Sequence, residues 1–543
     1  MRQAERAGFW AVGVILVALG AYHNSFRGPF ILDDNGSIRN NPTIERLWPI
    51  RLTHPELRGG DTVKGRPLVN TSLALNYALG GRRVAGYHGF NLVLHIGVAL
   101  TLMGLVRRTC LLPGMPPVFR QAAAPLAGIT AMLWAVHPLT TAAVTYLIQR
   151  AEALMALFYL LTLYASLRGA ESRRSGPWYA AAVLFCLLGA ASKEAIATAP
   201  LAVLLYDRAF LAGSFKAAFR KRWGLYAGLT ACWIPLAWLV ASTGLRGGTV
   251  GAGPADYSIG PYAWTQIWAI ARYVRLAFWP DGLIFDYGRL LVGSFRELWL
   301  PTLGLVLGLA AAVVAWVRWP RAGFPLHLFF LVLAPSSSVI PVMTQTVAEH
   351  RMYLPLAGLL SATVLGLYRG WTLRAPNRRR WIPLTAAGLA VLALSARTVR
   401  RNEDYRTVER IWRSTLQYRP TSARAHTNLG IDLQDQGRSD EALASFQEAL
   451  VREPDFMLAH YNLGITLGRM GRHEEAVVHF REAARIEPDH APAYYNWGIA
   501  LGHLGRHAEG IELFREAVRR QPDYAPARKV LETLQIRPGD ADR

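Results

Sequence analysis

Hydrophobicity comes in long blocks up to about residue 400 and then gives way to a short amphipathic rhythm. Apolar runs near the roughly 20 residues that cross a bilayer recur at 8–25, 88–106, 122–137, 147–167, 177–191, 195–206, 223–242, 299–317, 323–341, 353–368 and 381–396. Each run predicts a helix, because a segment in hydrocarbon must satisfy its own backbone polar groups. The pattern predicts an all-α chain: a polytopic membrane bundle of about 11 spans followed by an α-solenoid outside the membrane. The run 8–25 follows Arg2 and Arg6 as a signal peptide would. No small-residue cleavage pattern precedes Arg27, so it is read as a span.

The rhythm of the C-terminal part is a repeat. HTNLGIDLQDQGRSDEALASFQEALVREPD, HYNLGITLGRMGRHEEAVVHFREAARIEPD and YYNWGIALGHLGRHAEGIELFREAVRRQPD align without gaps at a 34-residue period. Gly430, Gly464 and Gly498 recur in phase, as do Phe446, Phe480 and Phe514, Ala449, Ala483 and Ala517, and Pro454, Pro488 and Pro522. These are tetratricopeptide-like helical hairpins: small residues let two helices approach, Phe fills the seam, and Pro ends the second helix. The expected domains are a membrane part at 1–400, a linker with a degenerate repeat at 401–422, and three repeats with a capping helix at 423–543. Trp412 and Pro420 stand in the Phe and Pro phases of the degenerate unit. Asn428, Asn462 and Asn496 also recur in phase, and two readings fit them. An amide that donates and accepts suits an extended peptide lying in a groove, or it caps and solvates its own helix.

Charge separates the two parts. Residues 401–543 hold 20 basic and 22 acidic residues, whereas 1–400 hold 39 basic and 15 acidic. The basic surplus falls in short loops: Arg107, Arg108 and Arg120; Arg168, Arg173 and Arg174; Lys216, Arg220, Lys221 and Arg222; and the RAPNRRR cluster at 374–380. Cationic loops stay in the cytoplasm, which places the N-terminus inside and the repeats outside. It also argues against a nucleic-acid partner. The stretch 262–280 would reverse this parity if it crossed, so it is expected to lie along the outer face as an amphipathic or re-entrant helix. On this topology only Glu5, Glu171 and Asp207 are cytoplasmic. Asp33, Asp34, Glu45, Glu56, Asp61, Glu152, Glu194, Asp256, Asp281, Asp286, Glu297 and Glu349 face outward. Positive-inside bias by itself leaves acids outside, but it does not account for acids set against helix ends, where desolvation is costly. Cys110, Cys186 and Cys232 lie in or beside apolar runs without metal-type spacing, so neither a disulfide framework nor a cysteine metal site is expected.

Several outward-facing strings then stand together: LDDNGSIRNN (32–41), KGRPLVNTSLALNYALGG (64–81), GYHGFNLVLH (86–95), WAVHPLTTAAVTYLIQRAEAL (134–154), ASKEAIATAP (191–200), FWPDGLIFDYG (278–288) and AEHRMYLPLAG (348–358). The set resembles the membrane part of polyprenyl-phosphate-dependent protein O-mannosyltransferases of the GT-C class. It is most similar to the transmembrane and tetratricopeptide repeat-containing family and its bacterial relatives, in the order of motifs as well as the repeat tail. The resemblance implies an inverting enzyme that moves one hexose from a polyprenyl-phosphate carrier to Ser or Thr hydroxyls of exported proteins. It also implies a catalytic acid in the first external loop, where the pair Asp33 and Asp34 stands. Thr140 and Thr141 occupy positions where many relatives carry a further His or a Glu nearby, which puts a metal role there in doubt.

The chemistry agrees with one carboxylate. A hydroxyl attacking an anomeric carbon must lose its proton, whereas a phosphate leaves as a stable anion and needs its charge neutralised. Glycosidases place two acids across the sugar, roughly 5 to 9 Å apart, which neighbours on one loop do not supply. Asp33 is the expected base, with Asp34 orienting it or the acceptor; the alternative for the pair is a solvated loop or helix cap. Lys193, His350 and Arg351, then Arg66, are the expected phosphate ligands, unless they serve internal pairing with Glu194 and Glu349. His137 is expected to close a helix end, Arg150 and Glu152 to pair or line the acceptor cavity, and Asp286 and Tyr287 to touch sugar or acceptor. No cofactor and no metal are expected. Two other functions fit the same features: transfer to a lipid or envelope glycan, and a non-enzymatic membrane-anchored repeat scaffold. Arg far outnumbers Lys, by association with GC-rich genomes, so the expected location is a bacterial inner membrane.

Overall fold

The computed structural model describes residues 2–48, 62–243, 259–288, 290–337, 345–374 and 381–534. Glu56, Asp61, Asp256 and most of the RAPNRRR cluster lie outside the described residues. The described chain is helical, without strands, and divides into two compact units: Met1–Phe285 with Arg289–Thr407, and Asp286–Gly288 with Val408–Arg543.

The membrane unit is a multi-pass helical bundle. Six described helices are long and apolar enough to cross: Val84–Leu111, Leu147–Glu171, Glu194–Ala212, Phe215–Ala241, Phe295–Arg318 and Ile382–Asp404. A bent pair, Ala123–Ala135 with Pro138–Thr145 at 57°, makes a seventh, and Ala7–Tyr22, Ser175–Ala190 and Pro320–Leu333 are shorter apolar helices. Among the described residues, length and composition thus support six crossings, or seven with the bent pair, fewer than the eleven expected. The bend has a local cause: Pro138 lacks an N–H and crowds the residue before it, and His137 accordingly sits at φ −76°, ψ 131°.

Burial sorts these helices. The helix Leu147–Glu171 is the most enclosed, with 67% of its apolar window buried, whereas Phe295–Arg318 is 6% buried. Exposed Leu303, Val306, Leu307, Val313 and Val317 on the latter form a surface suited to lipid rather than water. The segment expected to lie along the membrane is a continuous helix, Ile259–Phe278, outside the set of candidate crossings. Its buried Tyr262, Thr265, Gln266, Ala269, Tyr273 and Leu276 repeat at helical spacing on one face, with Arg275 exposed.

The second unit opens with a single helix, Val408–Tyr418, which buries Trp412, and continues as three hairpins. These are Ala423–Asp435 with Ser439–Arg452, Met457–Arg469 with His473–Ile486, and Ala491–His503 with His507–Arg520, closed by Ala525–Thr533. A Cβ on Gly430, Gly464 or Gly498 would lie 2.6, 2.8 or 2.7 Å from a ring carbon of Phe446, Phe480 or Phe514. Glycine at this phase is therefore required by the approach of the two helices.

Candidate active site

The acidic pair lies in the first loop after Arg2–Tyr22, and its two members have different fates. Leu32, just before the pair, has φ +47°, the one positive value at a non-glycine among the described residues. Asp34 is 1% exposed. Its two oxygens accept the backbone N–H groups of Ile31 at 3.0 Å and Ile148 at 2.8 Å. Burial pushes its carboxyl up to about 8, against the lowering effect of those donors. Asp33 is exposed, and its backbone N–H donates to the Tyr146 hydroxyl at 3.0 Å. Burial, then the nearby Asp33 and Asp34, hold the Tyr146 phenol well above its usual range. The rest of the loop is pinned by amides: Asn41 donates to the Ser37 carbonyl at 2.8 Å and to Asn70 at 3.1 Å, and Asn70 donates to Thr43 at 3.0 Å.

The cations gather at a second point. Lys193 is bonded to Glu152, and Arg66 faces Glu194 at 3.5 Å. The Lys193 and Arg66 side chains are only 12% and 11% exposed. Gly65, at φ +67°, makes the turn that delivers Arg66 to the start of the helix Pro67–Gly80. His350 stands beside them: burial, then the charges of Lys193, Arg351 and Arg66, hold its imidazole well below the usual histidine range. Burial also lowers the Lys193 ammonium, against the pull of Glu152 and Glu194. The result is a sheltered group of basic side chains held against two carboxylates.

One short segment links the two points. Tyr146 touches Asp33 and Glu152 holds Lys193, six residues later through the turn Leu147–Gln149 and the first turn of Arg150–Glu171. At about 2.0 Å per residue in the turn and 1.5 Å in the helix, they are on the order of 10 Å apart along this segment.

The other candidates divide. Arg150 is fully buried and does not pair with Glu152. It donates to Asn76 at 2.6 Å and to the Ser72 and Tyr87 carbonyls at 3.2 and 3.4 Å, binding the helices Pro67–Gly80 and Val84–Leu111 to its own. Arg351 is 7% exposed and donates to the carbonyls of Ser336, Thr346 and Gln345 at 2.8, 3.0 and 2.5 Å. Glu349 accepts the Ile284 N–H at 2.8 Å and so anchors the FWPDGLIFDYG stretch. His137 accepts from the Leu139 N–H at 3.2 Å and bonds the Ala277 carbonyl at 3.1 Å, closing its helix end. It also borders an apolar cavity of about 770 Å³ between helices Ala123–Ala135, Pro355–Arg374 and Trp381–Asp404.

Asp286 and Tyr287 belong to the repeat unit. Asp286 pairs with Arg424 at 3.1 Å and accepts the Gly288 N–H at 2.8 Å, and Tyr287 is 1% exposed. Asn428, Asn462 and Asn496 are half-buried. Each donates one amide hydrogen to the carbonyl four residues back, at 2.8, 2.8 and 2.9 Å, and Asn496 also donates to Tyr461 at 3.0 Å. Among the described residues, no protein group is bonded to their Oδ1 atoms.

Sequence reasoning passed over Tyr146, Asn41 and Asn70, although all three lie within or beside the strings it singled out. It also passed over a buried polar network in which Tyr353 bonds His95 at 2.8 Å while Trp134 donates to the Tyr353 carbonyl at 2.8 Å.

Comparison with known proteins bears on this arrangement. Residues 96–240 match the family described as dolichyl-phosphate-mannose-protein mannosyltransferase, and 427–491 and 461–525 match the tetratricopeptide repeat family. The Protein O-mannosyl-transferase TMTC4 of Mus musculus is 27% identical over 501 residues, covering 81% of this chain and 66% of the relative. The Protein O-mannosyl-transferase F38B6.6 of Caenorhabditis elegans is 26% identical over 461 residues, covering 82% and 63%. The chain is TMTC-like. It spans less than two thirds of the length of these relatives. Among solved structures, the crystal structure of MamA is 20% identical and covers 30% of this chain and 89% of its own, with a TM-score of 0.21.

Proposed function

We propose that the chain is a membrane glycosyltransferase that moves one hexose, mannose by the names of its relatives, from a polyprenyl-phosphate carrier to Ser or Thr hydroxyls of exported proteins. The observation that carries this reading is the pairing of an exposed, rigidly mounted Asp33 with a sheltered cation group about one short segment away. Asp33 takes the proton of the attacking hydroxyl. Oxygen joins the anomeric carbon as the bond to the carrier phosphate breaks, and the phosphate departs as an anion beside Lys193, Arg66 and His350. Inversion requires base and leaving group on opposite faces of that carbon.

In this reading Asp34 and Tyr146 hold the loop, Glu152 and Glu194 position the cations, and Arg351 contributes its field while its nitrogens brace the backbone. Protein groups alone neutralise the leaving group, so the reaction runs without a metal. The repeats capture the acceptor polypeptide through Asn428, Asn462 and Asn496. The chain resides in a bacterial inner membrane with the catalytic loop and the repeats on the outer face.

The test is transfer from polyprenyl-phosphate mannose to exported proteins by the purified full chain, with and without chelator, against Asp33→Asn. Loss of a general base lowers the rate by about 10²- to 10⁴-fold. Equal rates remove Asp33 from its role, transfer to lipid alone assigns a glycan acceptor, and no transfer with any acceptor leaves a scaffold.

A further inference from the structure

The segment GSFKAAFRKRW, residues 213–223, has no part in the proposed reaction. It opens Phe215–Ala241, a 27-residue candidate crossing. At about 1.5 Å per residue such a helix is ~40 Å long, against about 30 Å of hydrocarbon, so roughly seven residues must stand outside the apolar layer. The charges say which end. Lys216, Arg220, Lys221 and Arg222 all lie in its first eight residues, and 223–241 contain no charged residue.

Arg222 is used internally, donating to both oxygens of Asp207 at 2.7 and 2.8 Å and to the Tyr179 hydroxyl at 3.1 Å. Its backbone leaves the helical region, at φ −138°, ψ 30°, and kinks the helix where the basic segment ends. Lys216, Arg220 and Lys221 are exposed, and among the described residues none of them forms an ion pair. The nearby carboxylates are already engaged, Asp207 with Arg222 and Glu171 with Arg108 at 2.9 Å.

Phe215, Phe219 and Trp223, 40%, 48% and 72% exposed, recur every fourth residue and form a stripe beside Lys216 and Arg220. The completely buried Ala218 marks the face turned to the protein. Arg208 extends the basic surface, stacked on Phe215 at 5.2 Å and Trp316 at 4.5 Å. At the kink, Lys221 and Trp223 line an open depression of about 330 Å³. Aromatic and cationic stripes side by side are poorly served by water but match a helix lying in the headgroup layer.

We propose that residues 215–223 are a docking surface for anionic phospholipid. Headgroup phosphates lie against Lys216, Arg220 and Lys221, and the glycerol and upper acyl region packs on Phe215, Phe219 and Trp223. A zwitterionic lipid would cover the stripe without neutralising the cations, and a soluble acidic partner would neutralise them while leaving the stripe bare. The surface potential of anionic lipid rewards each added cation by a few-fold in association.

The experiment reconstitutes the full chain in phosphatidylcholine vesicles containing a minority of phosphatidylglycerol. Selectivity for the contact layer is read with spin-labelled forms of each lipid. The wild type is expected to prefer phosphatidylglycerol several-fold, with salt reducing the preference. The triple variant Lys216→Gln, Arg220→Gln, Lys221→Gln, altering exposed side chains only, is expected to lose it, whereas Arg82→Gln, an exposed cation elsewhere, keeps it. No preference in the wild type, or an undiminished one in the triple variant, overturns the proposal.

Discussion

Adjacent aspartates with opposite exposure show how little of a residue's role is set by its identity. Asp34 is buried with its pKa near 8, against an ordinary value of 3.8. The folded loop thus keeps a proton that the unfolded loop has lost, so Asp34 makes folding less favourable as pH rises from about 4 to about 8 and adds no further dependence above that. Asp34→Asn should abolish that slope. It should also loosen the loop, because a carboxamide has one acceptor oxygen where Ile31 and Ile148 need two, and an orphaned buried N–H costs roughly 1–3 kcal/mol. Hydrogen exchange of residues 31–39 across pH measures both effects, and an unchanged slope would show that another group carries it. His350 makes the converse prediction. Lys193, Arg351 and Arg66 help keep it neutral, and a bound phosphate would offset their field and raise its proton affinity. Binding of a polyprenyl phosphate should therefore take up protons at pH below the ordinary histidine value of about 6.5, visible as heat that varies with buffer ionisation, and His350→Gln should erase that uptake.

Helices were legible wherever one segment carried its own reason. The 34-residue phase of Gly, Phe, Ala and Pro named each hairpin, and its steric content can be tested. Gly498→Ala would set a methyl group 2.7 Å from Phe514 and 2.9 Å from the Gly510 carbonyl oxygen, whereas at Gly430 the nearest atoms are all on the Phe446 ring. A ring can shift and backbone cannot, so Gly498→Ala should cost more than Gly430→Ala, within the roughly 1–3 kcal/mol of overpacked cores. Urea unfolding of the repeats, followed by proteolysis of the full chain, ranks the two. Membrane segments were less legible. Hydropathy finds apolar length but not the 57° break at His137–Pro138, nor the burial that divides Leu147–Glu171 from Phe295–Arg318. The candidate site was legible as strings and not as a map. Asp33 meets Tyr146 across 113 positions and Lys193 meets Glu152 across 41, pairings that no local period encodes. The sequence suggests Arg351 as a phosphate ligand and Arg150 as a partner of Glu152 or a wall of the acceptor cavity, whereas their bonds in the structure go to backbone carbonyls, a hydroxyl and a neutral amide.

The chain separates two physical tasks between two units. The membrane unit, with 39 basic and 15 acidic residues through position 400, provides lipid-facing helices and a sheltered group of cations. Residues 401–543, nearly balanced at 20 basic and 22 acidic, resemble a soluble surface. If the repeats serve only assembly, acceptor length should not matter to catalysis. If they hold the acceptor, its backbone must engage groups spaced along the array, and the phased asparagines each retain an amide oxygen with no donor among the described residues. Asn462→Ala with Asn496→Ala removes two of these acceptors from half-buried sites, sparing the asparagine beside the Arg424–Asp286 pair. The expected result is a several-fold rise in KM for a long unstructured acceptor with kcat kept, and no change for a peptide too short to reach the repeats. The split between the two acceptors is the informative quantity. Parallel losses would mean that the substitutions disturbed the enzyme as a whole, and parallel retention would assign these amides to bracing their own helices.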